Sequence, residues 1–324
     1  MGISVVKYAG KSDDNACWGV LREGGIYRLN TEYATHRELM AGYFAGRAAF
    51  ANDTDKQRIA AEDVVFHSPI ANDVQLFCQG LNYADHRAES GASNSAHEDN
   101  LLFMKAASSI CGPNDTILRP ADCRLLDYEI EVALVLKEAI NKPVAISESD
   151  LPRYVGAVVM CNDVSARDLM FGAPMLQWFR GKSQRTFCPM GPVLYLMDEE
   201  DFSRLYTLQL TLLMNGKVRQ SATTNQLIHR PAATLAEIST FANLAAGDCL
   251  LTGTPGGVLA GSNLKVGLAI ITNMKNDRKR REKFTEAQLA RTRFLEPGDT
   301  LELSIKTPDG AIDLGTQRNI IANA

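Results

Sequence analysis

The chain has 324 residues, of which 45% are hydrophobic and 22% charged, and its formal net charge is −4 at pH 7. This composition is typical of a globular protein with one large domain or two smaller ones. The slight acidity gives no general attraction to nucleic acid or to an anionic membrane, and no apolar run reaches transmembrane length. The seven cysteines are odd in number and form no CxxC pair, which favours reduced thiols and predicts a cytoplasmic protein.

The first 70 residues predict a small N-terminal α/β domain. Short strands are expected before residue 30, and apolar residues spaced three and four apart predict a helix over residues 36–50. His36 is expected at the surface or at a strand end rather than in a site. The polar residues 52–55 favour a linker, and residues 71–324 are expected to form the larger domain.

A buried-type strand at residues 74–78 leads through a glycine turn to a segment that carries His86 and Glu89. Residues three apart share a face of a helix, so this carboxylate could orient and charge the imidazole as a general base for water. A surface pair of little energetic weight is the alternative that the spacing leaves open. The small polar stretch 90–100 fits either a lid over a site or an idle loop.

Residues 126–135 predict a β-strand with two carboxylates in its middle. Because strand side chains alternate, Glu129 and Glu131 are expected to point to the same face. The apolar residues that follow indicate a buried strand, where the two charges would repel each other and a hard divalent cation would compensate them. Two solvated glutamates on an edge strand are the alternative.

A second buried strand, at residues 155–160, precedes Asp163, which could supply a third carboxylate. Arg167 could face the same pocket if a helical turn begins there. Lys105, at the end of an apolar strand, and Lys182, after an aromatic segment, add further cations. The sequence therefore places several candidate charges at the ends of predicted buried strands, where sites concentrate.

The C-terminal third predicts further strands and one amphipathic helix. Asn215-Gly216 is a strong signal for a type I′ hairpin, and residues 231–244 have helical apolar spacing. His229 could reach a site or lie in the core. The basic run at residues 277–283 also contains two acidic residues, Asp277 and Glu282, which favours a solvated helix over a nucleic-acid contact.

These motifs together resemble the fumarylacetoacetate hydrolase family, and they occur in the family order between about residue 70 and residue 258. The matching segments are Gly80-Leu81-Asn82-Tyr83 with His86 and Glu89, Phe103-Met104-Lys105, Asp127-Tyr128-Glu129-Ile130-Glu131, Asn162-Asp163-Val164-Ser165-Ala166-Arg167-Asp168, Gly181-Lys182-Ser183, Met214-Asn215-Gly216 with Gln220, and Gly247-Asp248 with Thr252-Gly253-Thr254-Pro255. Jointly these segments are highly specific.

The resemblance implies a mostly β fold with some α (α+β), a fumarylacetoacetase-like mixed β-sandwich roll with a small N-terminal α/β domain, usually as a homodimer. It further implies that Glu129, Glu131 and Asp163 bind Mg²⁺ or Mn²⁺, with Ca²⁺ as another candidate. An ion held by three carboxylates keeps open positions for a bidentate 2-oxo acid and a water.

The resemblance also assigns catalytic and substrate-binding roles. The catalytic residues it implies are His86 and Glu89, which would activate water, with Lys105 and Lys182. The substrate-binding residues it implies are Arg167, Tyr83, Thr254 and Met170. Met170 departs from the family pattern, because many similar hydrolases have there a glutamine that supports an oxyanion.

The expected function is a metal-dependent hydrolase that cleaves a C–C bond in an acylpyruvate or related β-diketo acid, of the fumarylpyruvate or maleylpyruvate type found in aromatic catabolism. The alternative is a decarboxylase, isomerase or hydratase of a related 2-oxo acid such as oxaloacetate, because one chelate supports all of these reactions. A non-catalytic ligand-binding relative is less expected. The expected partner is a small 2-oxo or diketo acid, not nucleic acid or a membrane.

A second departure from the family pattern is an insertion at about residues 260–294. Most relatives pass quickly from the Thr-Gly-Thr-Pro turn to a Pro-Gly-Asp motif, which is here Pro297-Gly298-Asp299. The insertion could cover the site or extend a dimer contact, and the sequence leaves both interpretations open.

Overall fold

The computed structural model describes residues 1–13, 15–89, 99–171, 176–262, 264–273 and 275–324. Its strands are β1 (Ile3–Gly10), β2 (Cys17–Arg22), β3 (Gly25–Leu29), β4 (Thr54–Ile59), β5 (Val64–His67), β6 (Leu76–Gly80), β7 (Leu101–Lys105), β8 (Ile110–Cys111), β9 (Ile117–Arg119), β10 (Leu126–Asp127), β11 (Ile130–Leu136), β12 (Val155–Asn162), β13 (Ser165–Ala166), β14 (Cys188–Leu196), β15 (Gln209–Met214), β16 (Lys217–Thr223), β17 (Cys249–Leu251), β18 (Thr300–Lys306) and β19 (Asp313–Asn323).

Its α-helices are short and lie outside the sheets. They are α1 (His36–Ala45), α2 (Arg47–Asn52), α3 (Ala84–Glu89), α4 (Leu151–Tyr154), α5 (Arg167–Phe171), α6 (Trp178–Lys182), α7 (Pro231–Ser239), α8 (Leu264–Ile271) and α9 (Asp277–Leu289). None of the helices among the described residues combines the length and apolarity that a membrane span requires.

The main sheet has the strand order β4-β3-β2-β1-β14-β12-β11-β17-β6-β7, with β5 paired to β1 and β8 to β14. Its central strands β11, β12 and β14 are buried along their whole length. Continuous apolar runs of this kind are typical of strands covered on both faces. A second sheet, in the order β16-β15-β18-β19-β9, packs against the first through β14 and β19.

Strands of the second sheet alternate between buried and exposed residues, as in β15 and β18. This pattern is expected of antiparallel strands with one solvated face. The fold class predicted from the sequence, mostly β with some α, is confirmed. The predicted hairpin is also present, since Asn215 and Gly216 both have positive φ, as a type I′ turn requires.

The N-terminal strands extend the main sheet. β1 pairs antiparallel with β14, with Ile3 opposite Leu196 and Val6 opposite Val193. Strands from the first 70 residues therefore share a sheet with strands of the remaining chain. The division into domains at residue 70 stays a prediction.

The structure departs from three local predictions. The helix expected over residues 36–50 is divided at Gly46 into α1 and α2, because Gly46 takes φ −167° and ψ 77°, outside the helical region. His36 is fully buried rather than at the surface. The acidic strand is interrupted at Tyr128 and Glu129, between β10 and β11, where side chains replace the ladder: Asn162 Oδ1 accepts from the backbone N–H of Glu129.

The insertion forms α8 and α9. α9 is helical over the basic run, as predicted, but one face is covered: Arg280, Phe284, Thr285 and Gln288 are buried. The stretch predicted as a lid or an idle loop falls mostly on residues 90–98, which lie outside the described residues.

Candidate active site

Three carboxylates converge where β11 begins and β12 ends. Ile130 pairs with Asn162 across these strands, which places Asp163 beside the acidic segment, and the Asp163 N–H donates to the Glu129 carbonyl over 2.8 Å. One carboxylate oxygen from each of Glu129, Glu131 and Asp163 lies within 4.8 Å of the other two. All three side chains are buried, so the solvated edge-strand alternative is wrong.

Two lysines and an arginine contact this acidic cluster. The Lys182 Nζ lies 2.8 Å from Glu129 Oε2 and 2.5 Å from Asp163 Oδ2. The Lys105 Nζ lies 2.5 Å from Asp163 Oδ1. The Arg167 Nη2 lies 2.5 Å from Glu129 Oε1. These contacts bring together five residues from four separate segments of the sequence.

The carboxylates differ in electrostatic environment. Burial alone would raise the pKa of Glu129, but the charges of Lys182 and Arg167 outweigh it and lower that pKa to about 2. Burial, together with the charges of Asp163 and Glu129, raises the pKa of Glu131 well above its usual range. Burial would lower the pKa of Lys182, yet Asp163 and Glu129 raise it.

The donor chemistry of the cluster fits a hard divalent cation. All three candidate ligand groups are carboxylates, the donors that Mg²⁺, Mn²⁺ and Ca²⁺ favour. Within the described residues, no Lys or Arg nitrogen lies at salt-bridge distance from Glu131, whose Oε2 accepts the Gly253 N–H over 2.9 Å. A cation at this cluster would relieve the repulsion that raises the pKa of Glu131.

His86 and Glu89 lie on α3 at the edge of the same region. The Nδ1 of His86 is 4.0 Å from Glu89 Oε2, beyond hydrogen-bond length. The Glu89 carboxylate accepts instead from the Gly257 N–H, at 3.0 Å to Oε2. Nearness to His86 and this backbone contact lower the pKa of Glu89. The two side chains are thus neighbours, as the spacing predicted, without a direct hydrogen bond.

A cavity of about 480 Å³ connects these groups. Its polar side chains include His86, Glu89, Glu129, Arg167, Lys182 and Thr254. The insertion supplies another part of its lining through Val266 and Ile270 of α8 and Phe284 of α9. The insertion therefore covers part of the candidate site, as one of the two interpretations expected, and its part in a dimer contact stays a prediction.

Other expected site residues lie behind the cavity surface. Glu131, Asp163 and Lys105 are buried in the charge cluster and are absent from the described lining. Tyr83 is fully buried, with a hydroxyl that has no hydrogen-bond partner among the described residues. Met170 is also fully buried and lies against Gly181. Neither Tyr83 nor Met170 lines the cavity in the described part of the chain.

Thr254 lines the cavity but is already engaged. Its Oγ1 donates to the Ile130 carbonyl over 3.0 Å and accepts from Gln220 Nε2 over 2.8 Å. Gln220 Oε1 also accepts the Ile130 N–H. Thr254 and Gln220 therefore together link the acidic segment to the second sheet.

Sequence reasoning gave no role to Asp127, which orients the site. Its Oδ2 accepts from Arg167 Nε over 2.9 Å, and its two oxygens accept the N–H groups of Leu259 and Ala260 at the start of the insertion. The residue is fully buried. Its position two residues before Glu129 was the available signal, but its partners lie about forty and one hundred and thirty residues away.

Comparison with known proteins identifies the class that this fold and site define. The model of the fumarylacetoacetate (FAA) hydrolase C-terminal family matches residues 75–322. The chain therefore belongs to the fumarylacetoacetate hydrolase family, as its motifs indicated.

Among particular relatives, the chain is 34% identical over 242 residues to "Oxaloacetate tautomerase Fahd2a, mitochondrial" of Rattus norvegicus, covering 72% of this chain and 74% of that protein. It is 32% identical over 243 residues to the FAHD2A protein of the same description from Homo sapiens, with the same coverage.

Solved structures give the same family. A probable 2-hydroxyhepta-2,4-diene-1,7-dioate isomerase from Mycobacterium abscessus is 26% identical, with a TM-score of 0.74 over 100% of this chain and 99% of that one. A fumarylacetoacetate hydrolase from Exiguobacterium antarcticum is 27% identical, with a TM-score of 0.74 over 99% of this chain and 100% of that one. The relatives thus include tautomerases and isomerases beside hydrolases.

Proposed function

We propose that the protein interconverts the keto and enol forms of a 2-oxo acid, with a divalent cation at Glu129, Glu131 and Asp163. This chain aligns with 74% of the length of two oxaloacetate tautomerases. That similarity supports an isomerisation rather than a hydrolysis. The structural observation that carries the proposal is that the His86 imidazole lines the same cavity as Lys182 and Arg167, beside the acidic cluster. A general base within reach of a bound 2-oxo acid can take the proton from C3 without a water.

Tautomerisation needs one base and one stabiliser of the enolate oxygen. The proton on C3 of the keto acid passes to the His86 imidazole, at Nε2 because Glu89 faces Nδ1. The electron pair of that C–H bond forms the C2–C3 double bond, and the negative charge moves to the 2-oxo oxygen. Return of the proton from His86 to that oxygen completes the enol and restores the neutral imidazole, so the reaction is balanced without water.

The charged cluster holds the acid end of the substrate. Lys182 and Arg167 line the cavity next to Glu129 and would orient the carboxylate and 2-oxo oxygen. When bound, the divalent cation would supply Lewis acidity at the enolate oxygen. Lys105, which contacts Asp163 but not the cavity, would fix the position of that ligand.

Hydrolysis of an acylpyruvate is the second candidate. The observation that favours it is that His86 and Glu89 line the same cavity, so a modest movement would join them into a water-activating pair. Catalytic hydrogen bonds that are long in a ligand-free protein often shorten when substrate binds.

The test compares both reactions in one protein preparation. Purified enzyme is treated with EDTA, supplemented with Mg²⁺, Mn²⁺ or Ca²⁺, and assayed for loss of enol absorbance of 2-oxo acids and for cleavage of acylpyruvates. We expect metal-dependent tautomerisation and little cleavage. Cleavage that exceeds tautomerisation would favour hydrolysis, and activity indifferent to metal on every substrate would contradict both functions.

Two variants separate the mechanisms. His86→Ala should reduce tautomerisation by about 100-fold or more, the usual range for a lost general base. Glu89→Gln should cost less than about 10-fold in tautomerisation, whereas a water-activating pair would lose about 100-fold in hydrolysis. His67→Ala, on β5 among the N-terminal strands, is the matched histidine control and should leave both rates unchanged.

A further inference from the structure

We propose that the substrate is a 2-oxo acid with an apolar tail, aromatic or branched alkyl, and that the insertion forms the pocket for this tail. The inference rests on the proposed function for the 2-oxo acid end and goes beyond it for the other end. A second carboxylate, as in oxaloacetate, would meet no further lysine or arginine among the described residues that line the cavity.

The two ends of the cavity differ in chemistry. The charged end contains Lys182 and Arg167, both paired with Glu129. The Lys182 Nζ lies 6.0 Å from the centroid of the Trp178 ring, so the aromatic wall begins directly beside the charged end. A molecule of 2-oxo acid held by the charged end would therefore extend along this wall.

Three aromatic rings form the wall. The rings of Trp178 and Phe171 lie 6.3 Å apart between centroids, and those of Phe171 and Phe284 lie 5.4 Å apart. All three residues line the cavity. Val266 and Ile270 of α8 add aliphatic surface beside them. Pockets of this composition recognise apolar groups by surface burial and aromatic contact.

The described cavity lining contains no third lysine or arginine for a second carboxylate. Of the described residues that line the cavity, only Arg167 and Lys182 are cationic apart from the His86 imidazole. Of the longer stretches outside the described residues, 90–98 contains His97 but no lysine or arginine, and 172–175 contains no histidine, lysine or arginine. The carboxylate of Glu89 also lines the cavity and would repel a second anion.

The first experiment measures substrate preference in the metal-supplemented enzyme. Tautomerisation of phenylpyruvate and of 4-methyl-2-oxopentanoate is compared with that of oxaloacetate. We expect kcat/KM to be about 10- to 100-fold higher for the apolar acids, the discrimination that apolar pockets typically give. A preference for oxaloacetate would overturn the inference.

The second experiment measures binding without turnover. In a Trp18→Phe background, Trp178 is the single remaining tryptophan, and its fluorescence reports ligands at the wall. In the metal-free protein, phenylpyruvate should quench the Trp178 fluorescence at a lower concentration than oxaloacetate does. If this preference holds while no 2-oxo acid turns over, the proposed function fails and the pocket inference stands. Equal or reversed binding overturns the pocket inference whatever the activity.

A charge placed at the wall should reverse the preference. Ile270→Arg puts a cation at the cavity and is expected to lower kcat/KM for phenylpyruvate at least 10-fold while improving that for oxaloacetate. Leu268→Arg is the matched control, because Leu268 is 49% exposed on the same helix and does not line the cavity. Phe284→Leu is a milder change, which should lower kcat/KM for phenylpyruvate and leave kcat/KM for oxaloacetate unchanged. Equal effects of the two arginine variants, or an unaltered preference in Phe284→Leu, would contradict the inference.

Discussion

Glu131 is the carboxylate whose charge is least compensated within the site. Its neighbours Glu129 and Asp163 contact lysines or an arginine, whereas Glu131 accepts a backbone N–H. In the metal-free protein this side chain is a cost to folding, because a buried charge without a partner is unfavourable. With a cation bound, the same side chain becomes a ligand.

We predict that Glu131→Gln abolishes metal binding and activity together while the metal-free fold keeps its stability or gains on the order of 1 kcal/mol. The amide oxygen can still accept the Gly253 N–H, so the change removes charge and little else. Thermal unfolding with and without Mn²⁺ measures both metal binding and stability. Mn²⁺ should raise the Tm of the wild type and leave the Tm of Glu131→Gln unchanged. Stabilisation of the variant by Mn²⁺ would contradict the assignment of Glu131 as a ligand.

His36 is a buried histidine that ties the N-terminal region to the main body. Its Nε2 lies 3.0 Å from the Gly247 carbonyl, and its Nδ1 accepts the Ala71 N–H over 3.3 Å. These partners require the neutral ring with its proton on Nε2. Burial lowers the pKa of His36 below its ordinary value.

This environment predicts a loss of stability in mild acid. An unfolded histidine titrates near pH ~6.5, so below that pH the unfolded chain binds a proton that the folded chain does not. The contribution of His36 is therefore complete above that pH and is lost as the pH falls towards the lower folded pKa. Urea denaturation between pH 7.5 and 5 should show a steeper decline for the wild type than for His36→Gln, and parallel curves would contradict this role.

At the scale of elements, the turn after Thr254 holds the site together. Gly257 donates its N–H to Glu89 and accepts the Tyr128 hydroxyl at its carbonyl. It has a φ of +99°, and an added Cβ would lie 2.0 Å from the Arg219 carbonyl oxygen. The turn thus needs glycine both for its backbone angle and for its close approach to β16.

We predict that Gly257→Ala lowers the free energy of unfolding by more than about 2 kcal/mol, because backbone strain and a clash add together. Gly216→Ala is the control: Gly216 has a φ of +73° with no atom within 4 Å of an added Cβ, so only the strain of about 1 kcal/mol applies. Equal losses for the two variants in urea denaturation would show that the approach to Arg219 has no energetic weight.

The insertion is the element that most changes the site. Asp127 holds the chain just before α8, because it accepts the N–H groups of Leu259 and Ala260. The same carboxylate holds Arg167. One buried side chain therefore links the charged end of the cavity to the helices that close its apolar end.

At the scale of the whole molecule, the main sheet joins both parts of the chain. β14 lies between β1 and β12, and its residues are buried throughout. Removing the first 70 residues would expose a long apolar edge, and such edges promote aggregation.

We predict that a chain starting at residue 71 is recovered as aggregate rather than as a stable domain. Val5→Pro should act in the same direction, because Val5 pairs with Leu194 on one side and Val20 on the other. Lys56→Pro, on the outer strand β4, is the matched control and should remain monodisperse by size-exclusion chromatography. A monodisperse, folded truncation would instead support an independent domain after residue 70.

The sequence alone determined the family and the residues that converge. Alternation along a strand put Glu129 and Glu131 on one side, and motif order added Asp163 and His86. The alternation of side chains is a local property of extended backbone. Glu129 and Glu131 therefore reach the same cluster even though the acidic strand is interrupted at Tyr128 and Glu129.

Only the tertiary structure decided what surrounds those residues. Met170, expected at the substrate, lies behind the cavity surface against Gly181, while Phe284 of the insertion faces the cavity. The 4.0 Å between His86 and Glu89 is likewise a result of packing, since Glu89 bonds to Gly257. The positions of Phe284 and Glu89 depend on contacts between segments more than one hundred residues apart, which no spacing within one segment encodes.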